Sequence, residues 1–200
     1  MAIQISPAAR AVFAAAAVVM IGACAPKDDN VATTDTGMMA DTGMAPSVIT
    51  REWNDANVVG YLVSANKTDI EGGEAAVKKA TDAEVKAFAR RMVKEHGAAL
   101  KQVEALATKL NITAPATGDD GIVEDHNEAM KDLAEKDKGE SFDEAYIEHE
   151  IAMHKDLIDD LEDAREKTLN AELKAAIEAT LPTLKAHLAA AEAIEKKFGM

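Results

Sequence analysis

The sequence predicts an all-α protein, a bundle of four long helices plus one shorter helix, and three observations predict it. Beyond residue 50 no Asn-Gly turn is flanked by alternating apolar residues, so hairpin and strand signals are missing. Ala, Lys, Glu and Leu dominate that region and Pro is scarce, a composition that favours helix. Apolar residues recur there at steps of three and four over long windows, which is the period of a helix with one buried face.

The N-terminal segment reads differently. Met1–Arg10 carries one positive charge and no acid, and the apolar run Ala11–Ile21 is too short to span a bilayer. Small residues, Gly22 and Ala23, precede Cys24, so residues 1–23 read as a secretory signal peptide. Small residues before a lone cysteine are similar to a bacterial lipobox, which makes Cys24 the expected lipidation site and first mature residue. Ala25, rather than Asp, then points to the outer membrane by analogy with lipoprotein sorting. Residues 24–50 are the acylated Cys and a flexible linker with two DTGM repeats, at Asp35–Met38 and Asp41–Met44. Met38, Met39 and Met44 are too few and irregular for a soft-metal site. The expected location is the cell envelope, held to the membrane by the N-terminal lipid and facing the periplasm. A net charge of −14 repels nucleic acid, so no nucleic-acid partner is expected. The sequence identifies no protein partner.

The domain at residues 51–200 divides at its turn signals. Helix 1, about Glu52–Ala80, has the seam Val59, Leu62, Asn66, Asp69, Gly73, Ala76 and Ala80. Gly73 allows a neighbouring helix to come close. Helix 2 opens on the capping box Thr81-Asp82-Ala83-Glu84 and runs to about Leu110, burying Val85, Phe88, Met92, His96, Ala99, Val103 and Leu106. The connection is short, so these two helices are antiparallel neighbours. Pro115, Gly118 and Gly121 mark a loop. Helix 3, about Ile122–Lys138, is the short one, and Gly139 ends it. Helix 4, Ser141–Thr168, opens on a second capping box, Ser141-Phe142-Asp143-Glu144. Helix 5 follows Asn170 to about Phe198, with Pro182 expected to kink or restart it.

Each long helix carries polar residues where a bundle fills its seam with Leu, Ile or Ala. These are Asn66 and Asp69, then His96, then Glu150 and His154, with His187 bordering the last stripe. At 1.5 Å per residue, Asn66 and His96 lie about 21–23 Å from the turn at Thr81, and His154 and His187 lie at similar depth from the turn at Asn170. If the two hairpins pack in register, four helices present their polar residues to one level. Buried polar groups are costly unless they pair or bind something. Three readings follow: a satisfied hydrogen-bond network, a divalent transition metal (Zn, Mn, Fe or Cu) on Asp69, His96, Glu150, His154 and His187, or acid–base chemistry. No nucleophile accompanies the third. The Glu-x-x-His pair of di-iron bundles is missing, because Val93 and Ile151 stand three residues before His96 and His154. His126 and His149 read as surface or loop-facing.

Four segments carry a resemblance: Ala65-Asn66 with Asp69-Ile70-Glu71 and Gly73; Val85–Val93 with His96; Phe142-Asp143, Tyr146-Ile147 and His154; Leu181-Pro182, Leu184 and His187-Leu188. Together, from about Trp53 to Ala193, they resemble the bacterial ferritin-like family called domain of unknown function 4142. That resemblance implies a ferritin-like bundle, export and frequent lipidation, and marks His96, His154 and His187 as special. It carries no established activity. Its pattern often has Glu where this chain has Asp69. The expected function is a cell-envelope lipoprotein whose His/carboxylate core binds a divalent transition metal. The alternative is a non-catalytic interaction or stress-protective module with a structural polar core.

Overall fold

Helix α1 (Asp55–Lys79) begins at Asn54, whose side chain accepts the Asn57 amide at 2.9 Å and so satisfies a donor that the first turn cannot. Helices α2 (Ala83–Leu110), α3 (Ile122–Glu135), α4 (Glu140–Lys167) and α5 (Ala171–Glu195) follow. The computed structural model describes residues 52–115 and 121–199, and among these there are five helices and no strand. The signal peptide, Cys24 and the linker expected from the sequence lie outside the described residues. Two antiparallel hairpins, α1–α2 and α4–α5, face each other, and α3 packs against α1 and α4. None of the described helices is long and apolar enough to cross a membrane.

Both capping boxes work differently from their sequence reading. The α2 cap is Asp82, not Thr81: its carboxylate accepts the amides of Glu84 and Val85 at 2.7 and 3.1 Å. Helix α4 starts at Glu140 behind Gly139, whose φ of +138° turns the chain out of α3 and favours glycine. Asp143 therefore does not serve its own helix. Its carboxylate is buried against the other hairpin, where it accepts Thr81 N at 2.9 Å, Thr81 Oγ1 at 2.7 Å and Asp82 N at 2.8 Å. One acid thus satisfies the turn between α1 and α2 from across the bundle. Pro182 neither breaks nor restarts α5, which is continuous through it. Pro182 and Glu178 are exposed, so water can take the carbonyl that lacks an amide, while Leu181 and Leu184 on the opposite face stay buried.

The apolar core comes in two parts. One gathers Trp53, Val59, Leu62, Leu157, Leu173 and Ile177; the other gathers Ala76, Phe88, Met92, Tyr146, Ile147 and Ala191. Along α1 the first part stops at Ala65 and the second resumes at Ala76, and α2 and α5 show matching gaps, from Met92 to Val103 and from Leu184 to Ala191, while on α4 the two parts meet between Ile151 and Met153. Asn66, Asp69, His96 and His187 fill those gaps, Glu150 and His154 flank the junction on α4, and all six are buried. The common level expected from counting residues is therefore real.

Gly73 allows the close approach of α2. A Cβ there would stand 2.9 Å from Val93 Cγ2 and 3.1 Å from the Ala89 carbonyl, whereas one at Gly72 meets nothing nearer than 3.6 Å. Gly73→Ala should therefore cost about 1–3 kcal/mol through forced separation of the helices. Gly72→Ala should be neutral or gain up to about 1 kcal/mol from helix propensity. Urea unfolding of the two variants checks this, and equal effects would refute it.

Candidate metal centre

His96 on α2, His154 on α4 and His187 on α5 turn their rings toward one another, with centroids 5.2, 5.3 and 5.6 Å apart. Their exposures are 4, 0 and 1 %. The inward nitrogens are His96 Nε2, His154 Nε2 and His187 Nδ1, and the first two each lie 3.3 Å from the third.

The outward nitrogens decide the tautomers. His96 Nδ1 lies 3.1 Å from Asn66 Oδ1, and the Asn66 amide is oriented by its own donation to the Leu62 carbonyl at 2.6 Å. His154 Nδ1 lies 2.8 Å from the Glu150 carbonyl oxygen. His187 Nε2 lies 2.7 Å from Glu95 Oε2, and Glu95 Oε1 accepts from Arg91 Nε at 3.1 Å. Every outward partner is an acceptor, so each outward nitrogen carries the proton and donates it. Each inward nitrogen is left with a bare lone pair. Three lone pairs then face one another with no proton between them, which a satisfied hydrogen-bond network does not tolerate.

Protonation offers poor relief. Burial, reinforced by the other two imidazoles, holds His96 down to about 2, and burial takes His154 down to about 4. Burial lowers His187 too, against the pull of the Glu95 carboxylate. A cation would satisfy all three nitrogens at once. Two nitrogens about 2.05 Å from one ion, at a tetrahedral angle, stand about 3.3 Å apart. The observed 3.3 Å separations match that figure. The donation of each outer N–H to a carbonyl, amide or carboxylate oxygen is the arrangement that orients imidazole ligands.

Asp69 and Glu150 sit one layer out. Asp69 Oδ2 is 3.3 Å from His96 Nδ1, and Glu150 Oε2 is 3.5 Å from His154 Nδ1. Both acids are fully buried and adjoin each other and the Tyr146 hydroxyl, and none of these oxygens reaches good hydrogen-bond geometry with any other described residue. Burial raises Asp69 well above the carboxylate range and the adjoining Glu150 adds to it; burial raises Glu150 as well. With His154 these two form a second group of ligand atoms mutually within 4.8 Å. The structure therefore brings all five sequence-derived candidates together as two groups that share His154. A cavity of about 340 Å³ between α2 and α5 reaches the first group, with Asn66, Glu95, His96 and His187 at its polar end and Val103 and Leu161 in its apolar wall.

Sequence reading missed Glu95, Tyr146 and the burial of His126. Glu95 forms an i,i+4 pair with Arg91, which reads as a solvated face. Tyr146 is apolar in pattern, and no spacing rule shows that its hydroxyl adjoins two acids.

A family profile described as "Domain of unknown function (DUF4142)" matches residues 39–194. The chain belongs to this family. A comparison with curated proteins finds no match. Among solved structures, the DUF4142 chain is similar to one described as "CopM in the Cu(II)-bound form". The TM-score is 0.61 and the identity 16 %, over 74 % of this chain and 99 % of that one. At that identity the likeness of the DUF4142 domain to CopM is one of fold.

Proposed function

We propose that this DUF4142 domain binds a divalent transition metal, Cu(II) first, through His96 Nε2, His154 Nε2 and His187 Nδ1. The observation that carries the reading is the convergence of three acceptor nitrogens at 3.3 Å steps whose outer nitrogens all donate elsewhere. An all-imidazole set suits copper and zinc better than manganese, and copper stands highest in the divalent affinity order. The Cu(II) in the neighbour's description agrees with that choice. The buried acids Asp69 and Glu150 stand one layer out, where a bound cation would favour their ionised forms, and the cavity between α2 and α5 gives the ion a route in. Calorimetric titration with Cu(II), read with electron paramagnetic resonance, tests the assignment. Hyperfine splitting from three nitrogens is expected. Binding no tighter than about millimolar, or a spectrum without nitrogen coupling, overturns it.

Proton competition gives a further expectation. Ordinary imidazoles protonate near pH 6.5 and lose metal as pH falls through that value. Here the folded-state values of all three are lowered, so protons compete only at more acid pH. Imidazole protonation should therefore leave the three-nitrogen signal in place from pH 7.5 to about pH 5.5, rather than erasing it below pH 6.5. A steep loss near pH 6.5 would show that the rings are solvated.

We further propose that the chain is exported and held to the envelope membrane by acylated Cys24, with the metal-binding domain facing the periplasm. The support is the apolar run Ala11–Ile21 ahead of Gly22-Ala23-Cys24. Cys24→Ser should move the protein from the membrane to the soluble fraction; unchanged membrane association counts against the anchor.

A further inference from the structure

The cavity between α2 and α5 is larger than a passage for one ion requires. It measures about 340 Å³, in an interior of a kind that proteins otherwise pack closely. Ligand pockets begin at about 300 Å³, and an apolar cavity of about 150 Å³ already takes up benzene. Small side chains make the space. The seam of α2 passes from His96 to Val103 through Ala99, and on the other side α5 lines the cavity with Ala176, Ala179 and Thr180.

Its floor and its rim differ in chemistry. Leu62, Ala65, Val103, Leu157, Leu161 and Leu184 form a buried apolar floor. The rim is built from alanines, threonines and Gln102, and Thr180 turns its hydroxyl to the Ala176 carbonyl at 2.9 Å. Although 29 % of the chain is charged, Glu95 is the one charged side chain among the described residues that line the cavity. Water against apolar walls is poorly held, so an apolar body that displaces it gains.

The polar end accepts hydrogen bonds. His96 Nδ1 donates to Asn66 and His187 Nε2 donates to Glu95, while the Asn66 amide is turned to the Leu62 carbonyl. What remains there is chiefly lone pairs, those of the two rings and those of Glu95. That carboxylate accepts from Arg91 and His187 and has room for about four hydrogen bonds. A ligand head that donates suits this end. An anionic head meets the Glu95 charge with no cation in the lining to offset it.

We infer that the α2–α5 cavity binds a small neutral molecule, a phenol or alcohol, with an apolar body of about a dozen non-hydrogen atoms. The body lies against Leu157 and Leu161, and the hydroxyl points to the end that holds Glu95, His96 and His187. This is a site for an organic ligand, and it stands whether or not the three histidines hold copper.

Titration of the intact, metal-free chain with β-naphthol, by calorimetry and by naphthol fluorescence, tests this. One equivalent is expected, bound more tightly than about 100 μM, with β-naphthoate at least about ten-fold weaker. Ala99→Leu/Ala176→Leu fills the cavity and should weaken naphthol at least about ten-fold. Ala105→Leu, at an exposed position of α2 outside the lining, should leave it unchanged. Glu95→Gln removes the one charge in the lining and should narrow the gap between naphthol and naphthoate several-fold. Far-ultraviolet circular dichroism confirms that each variant is folded. No naphthol binding below about the millimolar range, binding unchanged in the filled variant, or naphthoate bound as tightly as naphthol overturns the assignment. A concentration-dependent dimer that the filled variant loses also overturns it, because a second copy then occupies the cavity. Copper takes no part in the titration, so failure here leaves the three-histidine centre standing, and failure of copper binding leaves the cavity site standing.

Discussion

His154→Leu is expected to erase Cu(II)-dependent stabilisation from the inner centre while leaving the metal-free domain about as stable as before. At a metal concentration a hundred times the dissociation constant, a ligand confined to the folded state adds about 2.7 kcal/mol. For a domain of this size that raises the melting temperature by about 5–10 °C. Leucine removes one of three inward nitrogens, and with it the chelate. The metal-free form loses the bond from His154 Nδ1 to the Glu150 carbonyl, about 1 kcal/mol. In exchange it loses one of the lone pairs crowded at the centre, and a fully buried position gains an apolar side chain near Leu157. Scanning calorimetry with and without Cu(II) measures both quantities. A metal-free loss above about 3 kcal/mol would mean that His154 is part of a satisfied structural network instead.

Asp143→Ala should destabilise the domain by about 3 kcal/mol whether or not metal is present. The buried carboxylate accepts from two backbone amides and one hydroxyl in the α1–α2 turn. A hydrogen bond to a charged acceptor contributes about 1.5–3 kcal/mol, and these part-buried donors share one acceptor and can turn to water when it is removed, so the three do not add in full. Asp143→Asn should recover little, because its amide group would face donors. The expected fall in melting temperature is about 6–12 °C. A loss below about 1 kcal/mol would show that water replaces the carboxylate without penalty, and that the two hairpins are held by their apolar faces alone.

The helices and the polar level were legible because both depend on spacing within one segment. Capping residues, three-and-four periodicity and the constant rise per residue placed Asn66, His96, His154 and His187 at matching depth, and the structure brings those four side chains together. What escaped depends on contacts between segments far apart in the chain. Asp143 stands inside the sequence of a capping box for its own helix, yet it caps a turn 62 residues away. Glu95 has the i,i+4 partner of a surface acid, yet its other oxygen fixes the His187 tautomer from 92 residues away. His126 lies on a short helix whose docking against α1 and α4 decides its burial, and nothing local encodes that docking. The His96 and His187 ring orientations, on which the metal reading rests, are set by acceptors on other helices, Asn66 and Glu95, while His154 is held by the local Glu150 carbonyl.

His96 and His187 stand 91 residues apart in sequence. An ion bound to both is a cross-link that closes a loop of that length and ties one hairpin to the other. The chain has a single cysteine, so it cannot form an internal disulfide. By the chain-entropy argument, a covalent link closing a loop of about a hundred residues removes close to 5 kcal/mol of freedom from the unfolded chain. A metal clip gains from the same effect, to the extent that it lets go when the chain unfolds. Metal bound as proposed would therefore give this domain a removable brace across its middle, set or released by how much metal its surroundings hold.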